Sequence, residues 1–75
     1  MEIDKGRIDD AVLALLYLTL HDGFRAWKSF DWDAMNRLFE RGFICDPVNK
    51  AKSVELTETG LTEAERLFTA LFVKK

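Results

Sequence analysis

The sequence predicts a mostly helical α+β domain, and three observations carry that prediction. Apolar residues recur at helical spacing over residues 8–20, 32–41 and 61–72. Between the last two stretches, Asp46-Pro47-Val48-Asn49 joins two short runs of strand-forming residues, the pattern of a small β-hairpin. The composition, 48% hydrophobic and 12% aromatic over 75 residues, supplies enough apolar surface to offset the entropy of ordering the chain.

In the first helix Ile8, Ala11, Val12, Leu15, Leu16 and Leu18 have helical spacing, while Leu13, Ala14, Tyr17 and Leu20 fill the other faces. A helix so apolar is either covered on every side or left partly for a partner. Full coverage is difficult in 75 residues, so a homodimer packed partly through this helix is expected. Asp22 and Gly23 are read as its end, Gly favouring the left-handed conformation there. Acidic Asp9 and Asp10 precede the apolar run, unlike the basic start of a signal peptide, so no export signal is read. Thr19, His21 and Asp22 break the run short of the roughly 20 apolar residues of a membrane span, so no membrane is expected as a partner.

Residues 24–30 are read as a turn or a single helical coil. Asp31 is an N-cap for a second helix running to about Arg41, with Asp33 in the first turn, where the helix dipole favours negative charge. Met35, Leu38 and Phe39, joined by Trp32, are its expected buried stripe. Gly42 fits the position after the cap, with Phe43 folding back in a Schellman motif. Residues 43–45 and 53–56 are the expected strands, Val54 and Leu56 turned inward and Glu55 outward. Thr57 caps the last helix. Leu61, Ala64, Leu67, Phe68, Leu71 and Phe72 form its inner face, Glu58, Glu63, Glu65 and Arg66 its outer one, and Lys74 and Lys75 suit its C-terminal dipole. No linker or repeat divides the chain, so residues 1–75 read as one domain.

The chemistry-bearing residues are sparse. Cys45 has no second cysteine to pair with, and one Cys with one His cannot build the usual zinc site, which fits a reducing cytoplasm and leaves no metal or cofactor implied. Cys45 is read as a small buried hydrophobe and His21 as a cation at the end of the first helix. Asp9 and Asp10 are adjacent on a helix and diverge, so they form no carboxylate pair. No glycine-rich phosphate loop or nucleophile elbow is present. No catalytic residue is nominated and no small-molecule substrate inferred; the expectation is a non-catalytic binding module, not an enzyme.

The residues Leu38-x-x-x-Gly42-Phe43-Ile44, followed by Val54-x-Leu56-Thr57-x-x-Gly60, resemble the winged-helix pattern over roughly residues 31–72. That resemblance implies a recognition helix over residues 32–41, a hairpin wing, and DNA as a partner. The outward residues would be Asp33, Asn36, Arg37, Glu40 and Arg41, of which Asn36 and Arg37 are natural base readers, while the two acids oppose phosphates. Residues 23–30 leave little room for the usual support helix. The run Ile8-Asp9-Asp10-Ala11-Val12-Leu13-Ala14-Leu15-Leu16-Tyr17-Leu18, with Arg25-Ala26-Trp27-Lys28 before Asp31-Trp32-Asp33, also resembles a family of short uncharacterised bacterial proteins. That likeness implies a bacterial protein and transfers no activity.

The formal net charge is −2, so no global positive field draws the chain to nucleic acid. The middle segment alone is basic, with 6 basic and 4 acidic residues over 23–52. Arg25, Lys28, Arg37, Arg41, Lys50 and Lys52 lie in it, beside Trp27, Phe30 and Trp32. These aromatics are expected in the core, covered by basic stems; the alternative is a set of stacking surfaces for single-stranded bases. The leading expectation is an interaction module that binds itself or another protein, and the alternative is a nucleic-acid-binding regulator.

Overall fold

The computed structural model of the chain describes residues 1–74; Lys75, and with it half of the expected C-terminal lysine pair, lies outside the described residues. Asp4 opens the first helix, α1 (Lys5–Leu18), its carboxylate accepting the backbone N–H of Arg7 at 3.0 Å. This start lies three residues before the first apolar position. The helix ends at Thr19 as C-cap, ahead of the expected Asp22-Gly23 stop. Those two residues instead have positive φ, +47° and +84°, in a tight reversal closed by two backbone hydrogen bonds between His21 and Arg25.

The reversal launches β1 (Arg25–Trp27), where the sequence reads only a turn or coil. Its antiparallel partner is β2 (Ser53–Glu55), with Arg25 opposite Glu55, Ala26 opposite Val54 and Trp27 opposite Ser53. Residues 43–45, expected as the hairpin partner, form no strand and make one isolated bridge, Ile44 to Leu56 just past the end of β2, with a bond from Cys45 N–H to Glu55 O at 2.9 Å. Three helices with a two-stranded antiparallel sheet make the α+β layout read from the sequence.

The second helix, α2 (Trp32–Glu40), has both expected caps. Asp31 accepts from Ala34 N–H at 3.1 Å, and Gly42 and Phe43 donate to Phe39 O and Leu38 O, both at 3.0 Å, which closes the Schellman motif. Ala34, Met35 and Leu38 face the core. Trp32 and Phe39 do not: Phe39 lies about 100° round the helix from Leu38, and both are exposed.

Thr57 then joins two helix ends. Its hydroxyl accepts from Gly60 N–H at 2.9 Å, opening α3 (Glu58–Phe72), and donates to Gly42 O at 2.6 Å. α3 packs chiefly on α1, with Tyr17 and Phe68 rings 5.3 Å apart. The core is Val12, Leu13, Ala14 and Leu16 of α1 with Ala26, Ala34, Met35, Leu38, Ile44, Val54, Leu56, Ala64 and Leu67. Leu71 and Phe72, expected inward, are exposed on the last turn, and Lys74 lies past the Val73 C-cap. Cys45 is exposed, not buried as expected, since residues 43–45 form an edge whose inward side chain is Ile44.

Candidate functional site

Three of the residues nominated for groove reading on α2 are held within the chain. Arg37 donates from Nε and Nη2 to the two carboxylate oxygens of Asp9, at 2.7 and 2.8 Å. Asp9 is buried on α1, so this fork clamps α1 to α2. That hydrogen bond, reinforced by the Asp9 charge, raises the Arg37 pKa above its ordinary value. Arg41 lies 3.6 Å from Asp10 and over the Phe43 ring, 4.7 Å from its centroid. Asn36 donates to Glu40 at 3.0 Å.

Trp27, Lys28, Trp32 and Lys52, by contrast, come together, lining one cleft with Ser29, Phe30 and Ala51 between the end of β1, the start of α2 and the chain entering β2. Ala26 points into the core, so Arg25 and Trp27 project from the other face of the sheet. Trp27 is 50% and Trp32 59% exposed, against the expectation that they fill the core; only Phe30 packs against it. A single buried residue per short element, Ala26 here, leaves its neighbours to solvent.

His21 stacks on Trp27, rings 4.4 Å apart and 27° from parallel, while its Nδ1 meets Thr19 O at 2.9 Å, so the ring both caps the end of α1 and braces the indole. The Trp27 N–H donates to Thr19 Oγ1 at 3.3 Å. Arg25 Nε donates to Ser53 Oγ at 2.8 Å and its guanidinium lies 4.0 Å from Glu55. Lys28 Nζ donates to Pro47 O at 2.8 Å, Asn49 O at 3.1 Å and Asn49 Oδ1 at 3.0 Å, fastening the loop before β2. Lys50 is exposed on that loop, outside the cleft lining.

A second surface was not nominated residue by residue. Ala11, Leu67, Leu71 and Phe72 line a groove between α1 and α3, with Arg7 and Asp10 at its rim. The signal for it was available: an apolar face on α3 that continues to Phe72, past the last buried position at Leu67. Among the described residues no three His, Cys, Asp or Glu side chains converge, and no helix is long and apolar enough to cross a membrane.

A family model described as Domain of unknown function (DUF6429) matches residues 4–74. The chain belongs to that family. The DUF6429 match takes in both the aromatic cleft and the α1–α3 groove, so both surfaces are part of the family domain. An uncharacterised bacterial protein, y4hR of Sinorhizobium fredii (strain NBRC 101917 / NGR234), is 62% identical over 74 residues, covering 99% of this chain and 100% of that protein. No solved structure matches the chain.

Proposed function

We propose that this DUF6429 domain is a non-catalytic interaction module that pairs with a second copy through the α1–α3 face. One observation carries the reading. Ile8, Ala11, Leu15 and Leu18 follow one another at intervals of 3, 4 and 3 along α1, none of them fully buried, beside exposed Leu71 and Phe72 of α3. That spacing is the seam of a helix pair. Arg7 and Asp10, each in an exposed or half-exposed ion pair within the chain, border the same groove, one charge of each sign, which a self-complementary two-fold interface can match across the axis.

The magnitudes set the strength. Burying a half-exposed Leu, Ile or Phe side chain contributes on the order of 1 kcal/mol, and two copies supply about eight such side chains. Association costs at least about 4 kcal/mol. The pair is therefore weak. An exposed free thiol at Cys45 suits the reducing cytoplasm as its compartment.

Sedimentation equilibrium between about 0.1 and 3 mM, bracketing the roughly millimolar dissociation constant that about 4 kcal/mol corresponds to, tests the reading. The expected result is a concentration-dependent dimer that Leu18→Asp and Leu71→Asp abolish. Monomer throughout refutes it. Docking of α2 in a duplex groove has less support, because Asn36, Arg37 and Arg41 are engaged as above and Asp33 and Glu40 lie exposed on the same helix.

A further inference from the structure

We infer that the cleft between Trp27 and Trp32 binds single-stranded nucleic acid, with bases stacking on the two indoles and backbone phosphates drawn to Lys52 and Lys50. The inference is independent of self-association, which uses the opposite set of side chains.

The cleft lining holds two lysines and no acid, in a chain whose net charge is −2. A ligand matched to it is locally anionic and carries flat apolar groups. Of the two lysines, Lys28 spends its donors on the carbonyls of Pro47 and Asn49. The Lys52 ammonium in the cleft and the Lys50 ammonium on the loop beside it have no ion-pair partner among the described residues, so they remain for a ligand. Asp31, which accepts from Ala34 N–H, Asp33 beside it on α2, and Asp46, which accepts from Val48 N–H, are exposed carboxylates that flank the cleft without lining it.

The Trp27 indole is braced: His21 stacks on it, and the bond from its backbone N–H to the Thr19 hydroxyl ties down the strand that carries it. Trp32 is the first residue of α2, placed by the Asp31 cap. Stacking on such faces needs unpaired bases, because a duplex keeps its base faces covered. A proline-rich peptide would use the indoles and leave the free lysines without counterparts.

The test is fluorescence anisotropy of a labelled pyrimidine oligonucleotide of about ten nucleotides, as DNA and as RNA, against a duplex of the same length and a proline-rich peptide. Saturable binding of the single strands is expected. With two phosphates neutralised at about 0.7 each in the salt exponent, affinity falls about sevenfold from 50 to 200 mM salt. Trp27→Ala and Trp32→Ala each weaken binding about 5- to 150-fold, the loss of one base–aromatic stack. Lys52→Glu weakens it and flattens the salt dependence, while His21→Ala has a smaller effect than Trp27→Ala. Leu71→Asp leaves it unchanged. No binding at the lower salt, equal binding of the duplex, binding of the peptide alone, or full affinity in both tryptophan variants would each overturn the inference.

Discussion

Gly60 and Gly6 both sit in the first turn of a helix, yet replacing each with Ala has opposite consequences. In a helix, Gly→Ala ordinarily stabilises by up to about 1 kcal/mol, because Ala loses less backbone freedom. At Gly6 a Cβ meets only Asp4 Oδ1, at 3.5 Å, an ordinary contact, so Gly6→Ala gains most of that amount. At Gly60 a Cβ would stand 1.8 Å from Phe43 O, 2.6 Å from its carbonyl carbon and 2.9 Å from its Cα. Relief to the 3.0 Å below which real Cβ atoms are essentially never found requires the start of α3 and the Phe43 backbone to part by more than 1 Å.

That parting strains the Thr57 N–H bond to Phe43 O, 3.0 Å, and the Thr57 hydroxyl bond to Gly42 O, 2.6 Å. Each is worth about 1 kcal/mol net, and overpacking adds about 1–3. After the propensity gain the net loss is about 2–4 kcal/mol, out of roughly 4–11 for a domain of this size. Urea denaturation followed by helical circular dichroism reads it directly: at about 1 kcal/mol per molar urea the midpoint drops by about 2–4 M. A Gly60→Ala midpoint at or above that of the parent, with Gly6→Ala moving the same way, would refute the close approach of α3 to residue 43.

Two further outcomes follow from the ion pairs. Arg37→Ala strands the buried Asp9 carboxylate and lowers the urea midpoint more than Arg66→Ala, which breaks an exposed pair with Glu63; a double variant, Asp9→Leu with Arg37→Met, recovers much of the loss. Equal effects of the two arginine variants would contradict the clamp. The hydrogen bond and charge of Arg66 hold the Glu63 pKa below its ordinary value. The contribution of that pair is therefore full above the ordinary glutamate pKa and lost as pH falls through the lowered one, so Glu63→Gln stability declines less steeply than the parent's in urea midpoints taken from about pH 6 to pH 3.

The parts of the fold that were legible in the sequence are those decided by neighbours in the chain. Asp31 and Gly42 bracket α2 through bonds spanning three to five residues, and Thr57 starts α3 through a bond spanning three. β1 was not legible. Three residues with one inward alanine carry no periodicity, and its partner lies 28 residues away at Ala26–Val54. The burial of Asp9 was hidden for the same reason, since the arginine that makes it tolerable is also 28 residues distant. For the cleft, residue types single out residues 25–32 as aromatic and basic, but whether Trp27 and Trp32 face inward depended on which side of β1 the core lies. Exposed Leu71 and Phe72 were misread because helical periodicity gives a face without saying where its cover ends.

Lys28 gives the loop before β2 an unusual economy. Its one ammonium group gathers the carbonyls of Pro47 and Asn49, Pro47 is buried beneath, and the side chains of Asp46 and Asn49 turn the backbone by accepting from Val48 and Ala51 N–H. The loop's course is thus written into four residues, none of which is Val48 or Lys50. Those two point outward and hold nothing in place. They are positions where mutation can accumulate without unfolding the domain, so a lineage of this family is free to change what the tip of the loop meets while inheriting its shape intact.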